Sequence, residues 1–433
     1  MTPICDFVRD YAASGAVRMH MPGHKGRGPL GFEQLDITEF DGADDLALPR
    51  GIIAASEAEA GRIFGCRTFY STGGSSHCIR AMLFLAVCGQ DKPLVVAVRN
   101  AHKAFINSAI LLGFDIEWIC PKAQFPSCAV SAEEVAAAVA RAPRKPAAVY
   151  LTSPDYLGGV SDIAAVSDVC GKLGVPLLVD NAHGAYLRFL GRHPIELGAD
   201  MCCDSAHKTL PVLTGGAYLH MKTGSSFAER AKEALSLFGT SSPSYLVLQS
   251  LDAANPYLDR HAERLAAFLP KAEALRASLR AAGYAVRDSE PLKIVIEPKA
   301  CGYTGDELAE KLIESGILCE FHDPDFLVMM LTPENSDSDL ARVENALRSV
   351  PRRAALTVRP PVPGACERVM SPREAAFSPA ETVPTRLCEG RVLAGAAISC
   401  PPAVPIVMCG ERIDRRAVEC LEYYGIDSCT VVR

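Results

Sequence analysis

Gly198-Ala-Asp-Met-Cys-Cys-Asp-Ser-Ala-His207-Lys208-Thr-Leu-Pro211 is the stretch whose reading decides the fold. A short apolar run ends there in a small polar turn that carries a lysine, and Thr214-Gly-Gly-Ala-Tyr-Leu-His-Met221 reads as a strand beyond it. A lysine directly after a buried strand is unusual, because its ammonium group is costly to desolvate. Desolvation lowers the pKa of such an amine and makes it a competent nucleophile, as a Schiff-base lysine must be. Taken alone, Lys208 is also what a surface loop would carry. Upstream, Pro176-Leu-Leu-Val-Asp180-Asn-Ala-His183-Gly184 ends another apolar run in an acid. An acid and a lysine on successive parallel strand ends is the arrangement that holds pyridoxal 5'-phosphate (PLP). The lysine makes the covalent link and the carboxylate keeps the pyridine nitrogen protonated.

Composition narrows the class. A chain of 433 residues, 49% hydrophobic and 22% charged, is long enough for two or three domains around sizeable cores. A net charge of −7 argues against nucleic acid or an anionic membrane as the main partner. No run reaches the roughly 18 apolar residues of a membrane helix, and Met1-Thr-Pro-Ile-Cys-Asp-Phe7 has no secretory signal pattern. The 17 cysteines are scattered and form no Cys-x-x-Cys pair, which fits reduced thiols in a cytoplasmic protein better than disulfides or zinc. No metal is expected.

In chain order, Arg18-Met-His-Met-Pro-Gly-His-Lys-Gly26 is a Gly/Pro-punctuated loop, a surface turn or a metal-binding loop on its own. Thr68-Phe-Tyr-Ser-Thr-Gly-Gly74-Ser75-Ser76 reads as a glycine-serine turn. It leads into a helix with Ile79, Met82, Leu83, Ala86 and Val87 on one face. Free N–H groups and hydroxyls at such a helix start make a phosphate cradle. Taken alone the pattern is more often ordinary serine capping. From 93 to 221, strands at 94–98, 116–119, 147–151, 177–179, 201–203 and 217–220 alternate with helices at 102–112, 131–142 and 162–173. Ser131-Ala-Glu-Glu134 is a capping box for the second helix. Largely apolar strands separated by helices predict a parallel or mixed sheet covered on both faces. Ligands of such sheets sit beyond the carboxyl ends of the strands. Residues at those ends include His102, Asp180, His183, Ser205, His207 and Lys208. Further on, helices at 244–254 and 261–283 precede a β-α-β-α section, and Arg359-Pro-Pro-Val-Pro-Gly364 is a linker candidate. The expected domains are an N-terminal segment 1–55, a PLP-binding domain 56–265, a small α/β domain 266–358 and a C-terminal domain 359–433.

Several blocks, in order and spacing, resemble the Orn/Lys/Arg decarboxylase family. They are His20-Met-Pro-Gly-His-Lys-Gly26, Gly74-Ser-Ser76, Arg99-Asn-Ala-His-Lys103, Leu151-Thr-Ser-Pro154 and Asp180-Asn-Ala-His-Gly184. Ser205-Ala-His-Lys-Thr-Leu210, Thr240-Ser-Ser-Pro-Ser-Tyr245 and the stretch Cys400–Glu411 complete the set. The resemblance implies an α/β chain of the aspartate-aminotransferase-like PLP fold type I. That fold has a mostly parallel seven-stranded sheet flanked by helices, a small α/β domain and a C-terminal domain. It also implies a homodimer with shared active sites and the family's short form, without an N-terminal wing.

By the same resemblance, Lys208 carries PLP, Asp180 pairs with the pyridine nitrogen and His102 stacks on the ring. Gly74, Ser75, Ser76 and Ser205 hold the phosphate, and His183 belongs to the cofactor site. His207 lies near the phosphate or the reacting carbon. The Thr240–Tyr245 block, with Ser242, reaches the neighbouring subunit's phosphate. The implied reaction is decarboxylation of arginine, lysine or ornithine to an amine of polyamine biosynthesis. A cationic substrate calls for a distal acid, and Glu320 and Asp323 are candidates by family position, or else two solvated loop acids. Asn181, Asp155, His77-Cys78, Gly215-Gly216 and Cys400-Pro-Pro-Ala-Val-Pro405 depart from the family pattern. They put substrate identity in doubt and leave the lysine and aspartate intact. Arg359 and Arg391 keep aminotransfer open, as another fold-type-I aminotransferase or lyase activity; a silent PLP-binding scaffold is the remaining alternative.

Overall fold

The computed structural model describes residues 1–120, 128–364, 366–400 and 404–433. Pro401, Pro402 and Ala403 of the last family-like block lie outside the described residues. In chain order come α1 (Pro3–Ala13), α2 (Ile52–Phe64), β1 (Arg67–Ser71), α3 (Gly74–Val87), β2 (Leu94–Val98) and α4 (Lys103–Leu112). Then follow β3 (Asp115–Ile119), α5 (Ala132–Arg141), β4 (Ala148–Thr152), α6 (Ile163–Leu173), β5 (Leu177–Asp180) and β6 (Met201–Asp204). Next are α7 (Ala206–Thr209), β7 (Ala217–Met221), α8 (Ala231–Phe238), α9 (Tyr245–Leu258) and α10 (His261–Ala281).

Seven strands form one mostly parallel sheet, in the order β1-β7-β6-β5-β4-β2-β3. The chain divides into two compact units, residues 1–89, 147–151 and 163–263, and residues 90–146, 152–162 and 264–433. In the first unit β5 and β6 run parallel, with Asp180 in register with Cys203. β7 then pairs antiparallel with both β6 and β1. β5, β6 and β7 are buried along their whole length, as the continuous apolar runs require. Residues 68–71, expected as part of a turn, belong instead to β1. Its Tyr70 lies opposite Tyr218 and its Ser71 opposite Ala217. Polar Thr68 and Ser71 hide a strand that β7 recruits by backbone pairing. The apolar face read for α3 is buried.

In the second unit β2 and β3 pair in parallel, and the expected Ser131–Glu134 capping box opens α5. The small sheet contains β8 (Ala285–Val286), β9 (Lys293–Glu297), β10 (Phe321–His322) and β11 (Leu327–Met330), all antiparallel, in the order β10-β11-β9-β8. Helices α11 (Gly305–Glu314) and α12 (Asp337–Ser349) accompany it, each begun by a capping box. The C-terminal stretch adds α13 (Pro372–Phe377), β12 (Ala380–Pro384), β13 (Ala397–Cys400), β14 (Val404–Met408), α14 (Arg415–Tyr423) and β15 (Ser428–Val432). Arg99, in the family-like block after β2, makes a buried bidentate pair with Glu411, at 2.5 and 2.7 Å. That ion pair pins the C-terminal stretch to the segment that leads to His102. Among the described residues the cysteines are free thiols, and no helix is long and apolar enough to cross a membrane.

Candidate active site

The first unit places Lys208 on the single turn α7 that follows β6. Ser205 precedes that turn, and the backbone N–H of Lys208 donates to its carbonyl at 3.0 Å. Nζ of Lys208 lies 3.0 Å from Nε2 of His183. With His183 carrying its proton on Nδ1, Nε2 accepts from the lysine. His207 is tied to the loop after the turn: its Nδ1 and its backbone N–H both reach the carbonyl of Gly216, at 2.9 and 3.3 Å. The residue beside the lysine therefore ties down the following loop.

Asp180 ends β5 and is 2% exposed. Oδ2 accepts from the Tyr150 hydroxyl at 3.1 Å, and Oδ1 from the Ala182 N–H at 3.2 Å and the Cys203 thiol at 3.6 Å. Burial, reinforced by the Asp180 charge, pushes the Cys203 thiol well above its ordinary range, so it stays a donor. Three donors offset part of the desolvation of a buried carboxylate and fix its direction. Tyr150 went unread in the sequence, where it is one residue of an apolar strand. Only the adjacency of β4 and β5 in the sheet and the hydrogen bond between these two side chains reveal it.

The glycine-serine segment forms the start of α3. Gly74 has φ +70°, its N–H donates to the carbonyl of Gly215 at 2.8 Å, and a Cβ there would meet nothing within 4 Å. The backbone thus faces open space at a helix N-terminus, where an anion is favoured. The Ser205 hydroxyl donates to that of Ser75 at 2.8 Å, joining the cradle to the lysine turn. Ser76 follows on α3, half-buried. Ser242 is exposed on this chain.

The departures from the family pattern have local reasons. Gly215 has φ +95°, and a Cβ there would sit 3.0 Å from the Thr72 carbonyl; on Gly216 it would strike Val212 at 2.3 Å. His77 bridges the Ser71 hydroxyl (2.8 Å) and the Leu235 carbonyl (2.6 Å), and burial lowers its pKa, so it acts as a neutral strut. Asp155, in the second unit, accepts from the N–H groups of Gly159 at 2.7 Å and Cys128 at 3.1 Å and so organises its own loop.

His102, Glu320 and Asp323 also belong to the second unit. His102 is the N-cap of α4, its Nδ1 accepting from the Ala104 N–H at 3.2 Å. Glu320 is exposed and accepts from the Tyr156 hydroxyl at 2.9 Å. Asp323 is neither solvated nor displayed. It is 2% exposed, and Oδ1 accepts from the N–H groups of Asp325 and Phe326 at 2.7 and 2.6 Å. Burial pushes its carboxyl up to about 7 from an ordinary 3.8. An acid raised by folding holds a proton that the unfolded chain has already lost, so stability falls between about pH 4 and pH 7 and stays lowered above. Asp323→Asn keeps the turn's acceptor without the charge. Chemical denaturation should find it more stable by about 1–2 kcal/mol at pH 8, with the gap closing toward pH 4 and KM unchanged. Equal stability at both pH values, or a raised KM, would return Asp323 to a substrate role.

Comparison with known proteins bears on the family. The arginine decarboxylase of Bacillus subtilis is 29% identical over 95% of this chain and 91% of that protein. The constitutive lysine decarboxylase of E. coli superposes with a TM-score of 0.81 at 17% identity, covering 100% of this chain and 82% of that one. The serine palmitoyltransferase of Sphingomonas wittichii shares the fold more distantly, with a TM-score of 0.57 at 15% identity, over 80% of this chain and 83% of its own. The model of the Orn/Lys/Arg decarboxylase major domain matches residues 2–298, and that of the C-terminal domain residues 362–427. With its lysine, aspartate and cradle set on a fold-type-I sheet, the chain belongs to the Orn/Lys/Arg decarboxylase family, a family of amino acid decarboxylases.

Proposed function

We propose that this chain is a PLP-dependent decarboxylase of a basic amino acid, with arginine the first substrate to test. The observation that carries the reading is Lys208, on a turn joined to the open Gly74 cradle and one strand away from the buried acid Asp180. Those groups fit PLP: an amine for its aldehyde, a carboxylate for its ring nitrogen, and open backbone with hydroxyls for its phosphate. When bound, PLP supplies a protonated ring that accepts the electron pair left at Cα as CO₂ departs.

The protein's own groups do the rest. Lys208 would hold the cofactor through its amine. Nζ of Lys208 and Nε2 of His183, 3.0 Å apart, can pass a proton between them. Asp180 holds a proton at the ring nitrogen, and Tyr150 and Cys203 hold Asp180. Gly74, Ser75, Ser76 and Ser205 bind the phosphate. Ser242, exposed on its own chain, serves the cofactor of a second copy in a homodimer. Arginine ranks first because relatives of nearly full coverage are named arginine decarboxylases.

Incubating the PLP-loaded protein with arginine, lysine and ornithine should release CO₂ and the matching amine in equal amounts from one of them. A keto acid without CO₂ would overturn the reading.

A further inference from the structure

Behind the strand end that leads to Lys208, the chain buries a charged group that the reaction does not use. Side chains alternate faces along a strand. Cys203 lies in register with Asp180 and its thiol touches that carboxylate, so Asp204 points to the opposite face of the sheet. Asp204, His193 and His220 are all fully buried. Oδ2 of Asp204 accepts from Nε2 of His193 at 3.1 Å and from Nε2 of His220 at 3.2 Å. Oδ1 accepts from Nδ2 of Asn181 at 2.7 Å. On the far side of the His220 ring, Nδ1 meets the Thr68 hydroxyl of β1 at 2.9 Å.

The charges nearly cancel. Burial opposes a charged His220, but Cys66 and Asp204 outweigh it and carry that imidazole up to about 9. Burial leaves His193 below its ordinary value, hence neutral. With a cationic imidazole against it, the Asp204 carboxylate can therefore stay in the interior and accept three strong hydrogen bonds.

What the network joins is more informative than its charge. Asn181 directly follows Asp180, and its backbone N–H donates to the Cys203 carbonyl at 3.0 Å while its own carbonyl accepts from Gly184 at 2.7 Å. Asp204 directly precedes Ser205, and α7 with Lys208 follows. We infer that Asp204 and Asn181 are a positioning pair, whose hydrogen bond behind the sheet fixes the spacing of the turns that present Asp180 and Lys208 to the cofactor. This rests on the PLP reading given above. It also gives a task to Asn181, one of the departures from the family pattern.

Asn181→Ala, Asp204→Asn and the double variant test the pair in the PLP-loaded protein. Asn181→Ala should lower kcat by about 10- to 100-fold, the range a small misplacement costs, with KM within about twofold. It should also move the visible circular-dichroism band of the bound cofactor and speed cofactor loss on dialysis. The double variant should be no worse than the poorer single one, because a shared contact can be lost only once. Asn181→Ala leaves both histidine bonds of Asp204 in place, so it decides the matter if Asp204→Asn fails to fold. A wild-type kcat and band in Asn181→Ala, or losses that multiply in the double variant, would overturn the inference. So would a stoichiometric metal ion in the purified protein, since His193, Asp204 and His220 offer ligand atoms that lie within 4.8 Å of one another and could hold one. A wild-type protein that neither binds PLP nor releases CO₂ would instead strike the functional reading, and this inference with it.

Discussion

Lys208→Ala is expected to abolish amine production, by about 10⁴-fold or more, and to remove the visible band of the bound cofactor. Deleting the covalent anchor of a concerted site costs rate on this scale, and little of it is recovered by the groups that remain. The fold should survive. The turn's own bonds, Lys208 N–H to Ser205 and Leu210 N–H to Ala206, belong to the backbone and do not depend on the side chain. Thermal unfolding within a few degrees of wild type would separate loss of chemistry from loss of structure. Lys208→Arg is the sharper control, because it retains a cation but not a nucleophile. A variant that keeps a tenth of the activity would remove Lys208 from the reaction.

Asp180→Ala should lower kcat by about 10³-fold while Lys208 still captures PLP. Its carboxylate stabilises charge on the ring as CO₂ leaves, and deleting one such preorganised group commonly costs 10²- to 10³-fold. The same substitution also removes a buried carboxylate that accepts from the Tyr150 hydroxyl and the Cys203 thiol. A hydrogen bond to a charged group is worth about 1.5–3 kcal/mol, so this variant should also melt earlier. Asp180→Asn divides the two effects. It still accepts from Tyr150, and should restore most of the stability while the rate stays low. If rate and stability recovered together, Asp180 would be a packing group rather than the partner of the ring nitrogen.

Much of this architecture could be read from the residues. The strands from Leu94 to Met221 fall within about a residue of their expected bounds, because strands buried on both faces are written as unbroken apolar runs between glycines and caps. β1 escaped, since Thr68 and Ser71 interrupt its pattern and backbone pairing with β7 forms it anyway. β8 and β10 escaped for a simpler reason: two residues carry no period. Lys293 begins β9, where a lysine is expected to reach solvent, yet it is fully buried with its ammonium donating to the Asp155 carbonyl at 2.8 Å. A sequence does not announce when a loop will come to meet a charge.

The candidate site divides along the same line. Lys208, Asp180, Ser205 and Gly74 were legible because each terminates an element, and strand ends and helix starts are where such sheets bind ligands. His207 and Asp323 were less so. Both stand beside residues of interest, but one is tethered to Gly216 and the other is committed to its own turn. Tyr150 and Asp204 could not have been found by spacing at all. Their importance comes from which residue lies across the next strand, and on which face.

Borohydride reduction of the PLP-loaded protein, followed by proteolysis and mapping of the pyridoxyl peptide, bears on all of this at once. The label should appear on one peptide, at position 208 of the segment Met201–Pro211, and vanish in Lys208→Ala. Label on another lysine, or none on a folded protein given excess PLP, would contradict the site proposed here.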